Sequence, residues 1–401
     1  MLHVISRLPL VALAVLVLLG SAPNEGNDPA DYHRFDLPFY AEPIAVEYDP
    51  AMVVRFTAAP SDASLRAAYR EYRRRPNQPL LNSLLRAKQA YQLNDYLFYK
   101  LARTALQVVY HQQPGAVNSR EVTLFGLLVD AGFDARLTYR GDRVFVNVYT
   151  ADDLFEVPII DVAGRPYANV SCLDRECDGR SRLFIYREHP NPGGRSFGFK
   201  LSDWPALAAQ PTLKDMEFNF HGQRRRLQVT FDRTMVDIMA DYPFVSEYAY
   251  LETPLSPTLR RSLLPQLREL LEPLNRQQQI ELLASFTRSA FNYKEDNEYF
   301  GHSKPMVPEE LFGYSFSDCE DRSALFYALV RDLLDVPMAV IAYDDHLSIA
   351  VASDDIRGDS FEYQGRRYVF CDPTGPKNSS LIGRIPPGYE QKRFEVIGTH
   401  G

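Results

Sequence analysis

Cysteine is scarce in this 401-residue chain, with four in all, and tryptophan occurs once. Four cysteines are too few for a small scaffold held mainly by disulfides. Long apolar runs are missing as well. The longest, Leu8–Leu19, is broken only by Pro9 and is too short for a comfortable membrane span. Basic charge is not in excess, because the formal net charge is −8, which argues against a dedicated nucleic-acid binder. The arginine runs Arg73–Arg75 and Arg224–Arg226 are short and read as solvated faces. No His-Glu-x-x-His zinc helix and no phosphate-binding glycine loop occurs, and Gly313-Tyr-Ser-Phe-Ser lacks the second glycine of a serine-hydrolase elbow.

What is present is ordinary globular composition, 45% hydrophobic and 24% charged, in a chain long enough for two domains. Twenty-eight prolines predict many turns and argue against a pure helix bundle. Arg7, the apolar stretch and Gly20-Ser21-Ala22 have the layout of a signal peptide over residues 1–22. Export to the periplasm or the exterior is therefore expected, with an uncleaved anchor as the alternative. Cys172 and Cys177 bracket a polar loop and read as a local disulfide. A metal clip there needs two further ligands, and nothing nearby supplies an obvious pair.

The patterning predicts an α+β chain. Residues 23–60 read as a leader with short strands at Pro43–Tyr48 and Met52–Phe56. Residues 61–154 form a helical α+β region, with Ser61 as a cap and Leu65, Ala68, Tyr69 and Tyr72 on one stripe. Residues 155–250 read as β-rich, and helical spacing returns at 257–292 within a last region, 251–401. Leu124-Phe-Gly-Leu-Leu-Val echoes Leu325-Phe-Tyr-Ala-Leu-Val, each a helix feeding a strand. If the echo is a duplication, the first copy carries Asn118 or Ser119 opposite Cys319 and about Arg143 opposite His346, and is chemically dead.

Chemistry concentrates in the last region. Ser317 and Glu320 stand three apart ahead of an apolar-periodic run, a capping-box spacing that places Cys319 in the first turn of a helix. Free N–H groups and the positive helix end there favour a thiolate and offer donors to an oxyanion, whereas Asp318, Glu320 and Asp321 oppose the thiolate. A basic partner is needed, and His346, between two strand-like runs, can supply it. Asp372, at a strand end before Pro373-Thr-Gly, can fix the imidazole's tautomer. Cys371 should point to the opposite strand face, into the core. Asp321 and Arg322 read as an ion pair at the helix mouth.

Asp318-Cys-Glu-Asp-Arg-Ser-Ala-Leu-Phe, Asp345-His-Leu-Ser-Ile-Ala-Val and Tyr368-Val-Phe-Cys-Asp-Pro-Thr-Gly, taken in this order, resemble the transglutaminase-like superfamily over about residues 260–385. The chain departs from the family pattern at the residue before the cysteine, often glycine there and Asp318 here. It departs again after the histidine, where Leu347-Ser348 replaces an early aromatic. Both departures bear on the substrate groove. The resemblance implies a papain-like domain with a cysteine-bearing helix packed on an antiparallel sheet. It also implies Cys319 as nucleophile, His346 as general base and acid, and Asp372 as the orienting carboxylate. The expected activity is acyl transfer from a peptide, protein or cell-wall amide, with hydrolysis favoured over cross-linking. No cofactor or metal is expected, since no acidic loop of the usual calcium pattern is present. The rival expectations are a non-catalytic binding or assembly protein that keeps the fold, and a papain-like cell-wall endopeptidase.

Overall fold

The computed structural model describes residues 32–113, 115–173, 177, 182–314, 316–375 and 382–401. The signal-peptide reading of residues 1–22 and the start of the leader lie outside them. The chain is α+β throughout, and no helix among the described residues is long and apolar enough to cross a membrane.

The first half opens on a hairpin of β1 (His33–Phe39) and β2 (Glu42–Tyr48). Met52–Phe56, expected as a strand, pairs with no other strand. The Val54 and Phe56 N–H groups donate instead to the hydroxyls of Tyr110 and Ser119, which removes the need for a ladder. Helices α1 (Asp62–Arg74), α2 (Gln78–Ala90), α3 (Asp95–Val109) and α4 (Val117–Asp130) follow. Ser61 caps α1 as predicted, and Leu65, Ala68, Tyr69 and Tyr72 are buried. Strands β3 (Ala135–Arg140), β4 (Arg143–Tyr149), β5 (Ile159–Val162), β6 (Arg165–Asn169) and β7 (Phe184–Ile185) form an antiparallel sheet in the order β5-β6-β4-β3-β7. Cys172 and Cys177 are joined in a disulfide.

Helix α4 crosses α1 closely because residue 126 is glycine. A Cβ there would lie 2.3 Å from the Tyr72 ring. Tyr72 is fully buried with its hydroxyl bonded to Asp130, so the ring cannot swing away without losing that bond. Gly126→Ala is expected to destabilise the protein by about 1–3 kcal/mol through overpacking, read as a lower urea midpoint at unchanged slope.

The second half begins with a long hairpin, β8 (Pro211–Phe220) and β9 (Gln223–Asp232), turned at His221-Gly222 where both residues take positive φ. Helices α5 (Arg233–Met239), α6 (Glu247–Glu252), α7 (Pro257–Leu271) and α8 (Arg276–Ala290) follow. The β-rich stretch 155–250 is thus divided: β5–β7 complete the first sheet, while Phe218, Val229 and Phe231 pack in the second core with Leu263 and Leu267 of α7. After α8 come β10 (Asn292–Tyr293), the short α9 (Asp296–Tyr299), α10 (Pro308–Gly313), β11 (Phe316–Ser317) and α11 (Cys319–Leu334). Strands β12 (Met338–Tyr343), β13 (His346–Val351), β14 (Ser360–Tyr363), β15 (Arg366–Phe370) and β16 (Glu395–His400) build a second antiparallel sheet, ordered β14-β15-β13-β12-β16.

The two sheets have the same strand order, each behind one helix. Their registers also match: Tyr343 opposes His346 as Arg140 opposes Arg143, and Ala350 opposes Phe370 as Asn147 opposes Asn169. Along the second sheet the period of two sorts the faces. Leu347, Ile349, Val369 and Cys371 join the core with α11, whereas Ala350, Tyr368 and Phe370 form a smaller cluster on the other face.

Candidate active site

Helix α11 starts at Cys319 because Asp318, in extended conformation, donates its N–H to Asp321 Oδ2 at 3.1 Å. The other Asp321 oxygen accepts the Met306 N–H at 2.8 Å. Ser317 is therefore not the cap. It lies in β11, paired with β10, and its hydroxyl accepts from Arg322 Nε at 3.1 Å. The expected Asp321–Arg322 ion pair is absent too. Buried Arg322 gives its other donors to the carbonyls of Thr374 and Phe291, at 3.2 and 3.0 Å. It ties the helix start to the turn that carries Asp372. Arg288, equally buried on α8, donates to the Asp372 carbonyl.

His346 is the first residue of β13. Its ring lies 4.9 Å from that of Tyr389 and 6.2 Å from that of Tyr343. Nε2 stands 3.6 Å from Asp372 Oδ1, just beyond hydrogen-bond reach, and 3.4 Å from Thr374 Oγ1. Thr374 completes the cluster by donating its hydroxyl, at 2.7 Å, and its N–H, at 3.1 Å, to the same Asp372 oxygen. Burial pushes the Asp372 carboxyl up, but the imidazole and the two Thr374 donors outweigh it and hold the group below its ordinary value. A carboxyl so lowered stabilises the fold above about pH 4 and gives up that contribution as the pH falls through its folded value.

Cys319 is 8% exposed. Its thiol donates to Glu320 Oε2 at 2.8 Å. Burial and the adjacent Glu320 carboxylate hold the thiol well above the ordinary range, against the smaller opposing effect of the Leu347 N–H. The positive helix end does not prevail in this conformation, because burial and then the acidic first turn oppose the thiolate. Leu347, next to His346, links the two elements. Its N–H faces the Cys319 sulfur and its carbonyl accepts from Ser323 at 3.2 Å.

The structure thus brings His346 and Asp372 together and docks Cys319 on the start of the same strand. Ladder pairing sets His346 on the face shared with Tyr343, away from α11, so sulfur and ring have to meet round the strand end. No hydrogen bond joins them among the described residues, and none uses His346 Nδ1. Cys371 is fully buried in the helix-side core, as its position beside Asp372 predicted, and burial raises its thiol. Thr374, Arg288 and the Glu320 hydrogen bond were not singled out from the sequence. Pro373-Thr-Gly marked a turn, but a buried arginine 84 residues from the group it holds leaves no local signal.

The first half offers a comparison within the chain. Asn118, opposite Cys319, accepts the Val144 N–H at 3.0 Å, the counterpart of the Leu347 N–H, and donates to the Asp142 carbonyl at 2.6 Å. Arg143 begins β4 as His346 begins β13. Ser171 holds the place of Asp372, two residues beyond its strand, and bonds Glu121 and the Val146 N–H. The same scaffold here carries none of the three reactive side chains.

No family model, curated protein or solved structure matches this chain.

Proposed function

We propose that residues 251–401 form a transglutaminase-like thiol acyl-transfer domain, and that residues 61–185 are a degenerate copy of its helix-and-sheet unit. The observation that carries the reading is the placement of Cys319 at a helix start docked through Leu347 on the strand that begins with His346, beside Asp372. The matching strand order and register of the two sheets support the duplication.

In the proposed reaction the thiol leaves Glu320 and passes its proton to the imidazole, and the thiolate adds to an amide carbonyl. First-turn N–H groups of α11 stabilise the oxyanion. Collapse of the tetrahedral adduct breaks the C–N bond, and the imidazolium protonates the leaving amine. The acyl group stays on sulfur as a thioester. Water then attacks it, giving its proton to His346, and the acid and free thiol are released. Asp372 holds the ring through both proton transfers. The substrate class is an exported peptide, protein or cell-wall amide, reached through the N-terminal signal.

The test is a panel of unfolded proteins and peptidoglycan fragments, with new amine groups counted and Cys319 analysed by mass after acid quench. Release of amine with an acyl adduct on Cys319, both lost in Cys319→Ala, is the expected outcome. Amine release that persists in Cys319→Ala contradicts the assignment. A second reading, a binding or assembly protein that keeps the fold, draws on one observation: the thiol is held protonated by Glu320 and is not bonded to His346. That reading requires Cys319→Ala to leave every property of the protein unchanged.

A further inference from the structure

The faces of the two sheets that point away from the helices match in register but not in chemistry. Across β12, β13 and β15 the second sheet sets Ala339, Ala350 and Phe370 in one row, where the first sets Arg136, Asn147 and Asn169. At the hairpin end, Arg140 matches Tyr343 and Arg143 matches His346. The row in the second sheet is apolar. The row in the first is polar yet covered, with Asn147 0% and Asn169 6% exposed. Asn147 Oδ1, Asn169 Oδ1, Arg136 Nε and Arg140 Nε are all buried without a hydrogen-bond partner. Buried polar groups cost stability when nothing satisfies them, and four on one face call for an explanation.

Charge on this face is unbalanced too. Arg140 and Arg143 stand directly opposite each other, a like-charge pairing that weakens a hairpin. No hydrogen bond or ion pair among the described residues uses either guanidinium, and Asp142, in the turn between them, pairs with neither. Asp134, just before β3, is already engaged by Arg165 at 2.7 Å, His189 at 2.6 Å and the Tyr167 hydroxyl at 3.1 Å. Arg136 donates to His189 Nδ1 at 2.9 Å rather than to either asparagine. Asn147 fixes its Nδ2 on the Thr138 hydroxyl at 2.9 Å, which leaves the amide oxygen as the free end.

We infer that this face of the first sheet binds an acidic peptide segment, with Arg140 and Arg143 holding a carboxylate and Asn147 and Asn169 accepting N–H groups from the same chain. Two guanidinium groups side by side offer planar donor forks that match a carboxylate. The amide oxygens need donors instead, and a peptide backbone carries one at nearly every residue. Arg143 and Asn147 lie four residues apart on β4, about 13 Å, which an extended peptide of about four residues spans. A small inorganic anion fills only the arginine end and leaves the asparagine oxygens as they are. The site does not depend on the thiol's being catalytic.

The experiment uses the full chain and fluorescently labelled hexaglutamate, followed by anisotropy at low salt, with labelled hexaglutamine as the uncharged control. Saturable binding of hexaglutamate is expected, at least about tenfold tighter than that of hexaglutamine. The chain's net charge of −8 repels an acidic ligand in general, so such binding requires a local site. Arg143→Gln is expected to weaken it at least about tenfold, through loss of a charge-assisted contact. Arg140→Gln serves as the second variant should the first not fold. Asn147→Ala is expected to weaken binding several-fold, which charge attraction alone does not predict. Cys319→Ala must bind as the parent does, which separates this outcome from the fate of the acyl-transfer reading. No saturable binding by the parent, an equal affinity in Arg143→Gln or in Asn147→Ala, or full displacement of the peptide by equimolar inorganic phosphate overturns the assignment.

Discussion

Glu320→Gln is expected to speed alkylation of Cys319 by iodoacetamide roughly tenfold at pH 7. In the parent chain the thiol donates to Glu320 at 2.8 Å in a buried setting, and burial and the carboxylate together raise it. A charge about 4 Å away contributes about 4 kcal/mol at an effective dielectric of about 20. Half of that amounts to between one and two pKa units. The sign follows from the acid: lowering the thiol's pKa leaves more thiolate at any pH below it, so the rate rises. A less basic thiolate is a weaker nucleophile, with a sensitivity of about 0.4–0.5, and this takes back nearly half of the gain on a logarithmic scale. Peptide mapping separates Cys319 from Cys371, which is fully buried. An unchanged rate in Glu320→Gln contradicts the view that Glu320 gates the thiol.

The second large effect concerns Arg322. Its guanidinium makes three hydrogen bonds in the interior, to the Ser317 hydroxyl and to the carbonyls of Phe291 and Thr374. Arg322→Ala strips these buried acceptors of their donor and opens a cavity behind the helix start. Each orphaned acceptor costs about 1–3 kcal/mol where water cannot reach it, so a total loss of about 3–5 kcal/mol is expected. Urea unfolding reads it as a lower midpoint at constant slope. Because Arg322 joins α11 to the Asp372 turn, alkylation of Cys319 should also lose its dependence on His346. A loss below about 1 kcal/mol contradicts the stapling role.

The parts of this protein that repeat along the chain were the easiest to read. The stripe Leu65, Ala68, Tyr69 and Tyr72 and the alternation around Cys371 follow from helical and strand periods, and both lie where those periods put them. The pairing of Cys172 with Cys177 was legible from their closeness in sequence. Met52–Phe56 misled because side-chain hydroxyls from remote helices replaced a ladder. Ser317 misled for a related reason: spacing identified a capping box, but the box lies one residue on, with Asp318 as the cap and buried Asp321 as its partner, and Arg322 took the serine hydroxyl. Arg288 was out of reach, since it acts on a residue distant in sequence. The echo between Leu124 and Leu325 was faint in residues, yet the strand order behind both helices is the same. Topology outlasts the side chains that first draw attention to it.

The central claim is that His346 can take the proton of Cys319. The most direct measurement is the pH–rate profile of Cys319 alkylation in Glu320→Gln, with and without His346→Ala, from pH 5 to 9. With His346 present, the account predicts a reactive plateau extending well below the ordinary thiol midpoint of about 8.5. With His346→Ala, it predicts a single rise near or above that midpoint and a rate at pH 6 at least about tenfold lower. Two superimposable profiles, both rising only near the ordinary midpoint, would contradict it.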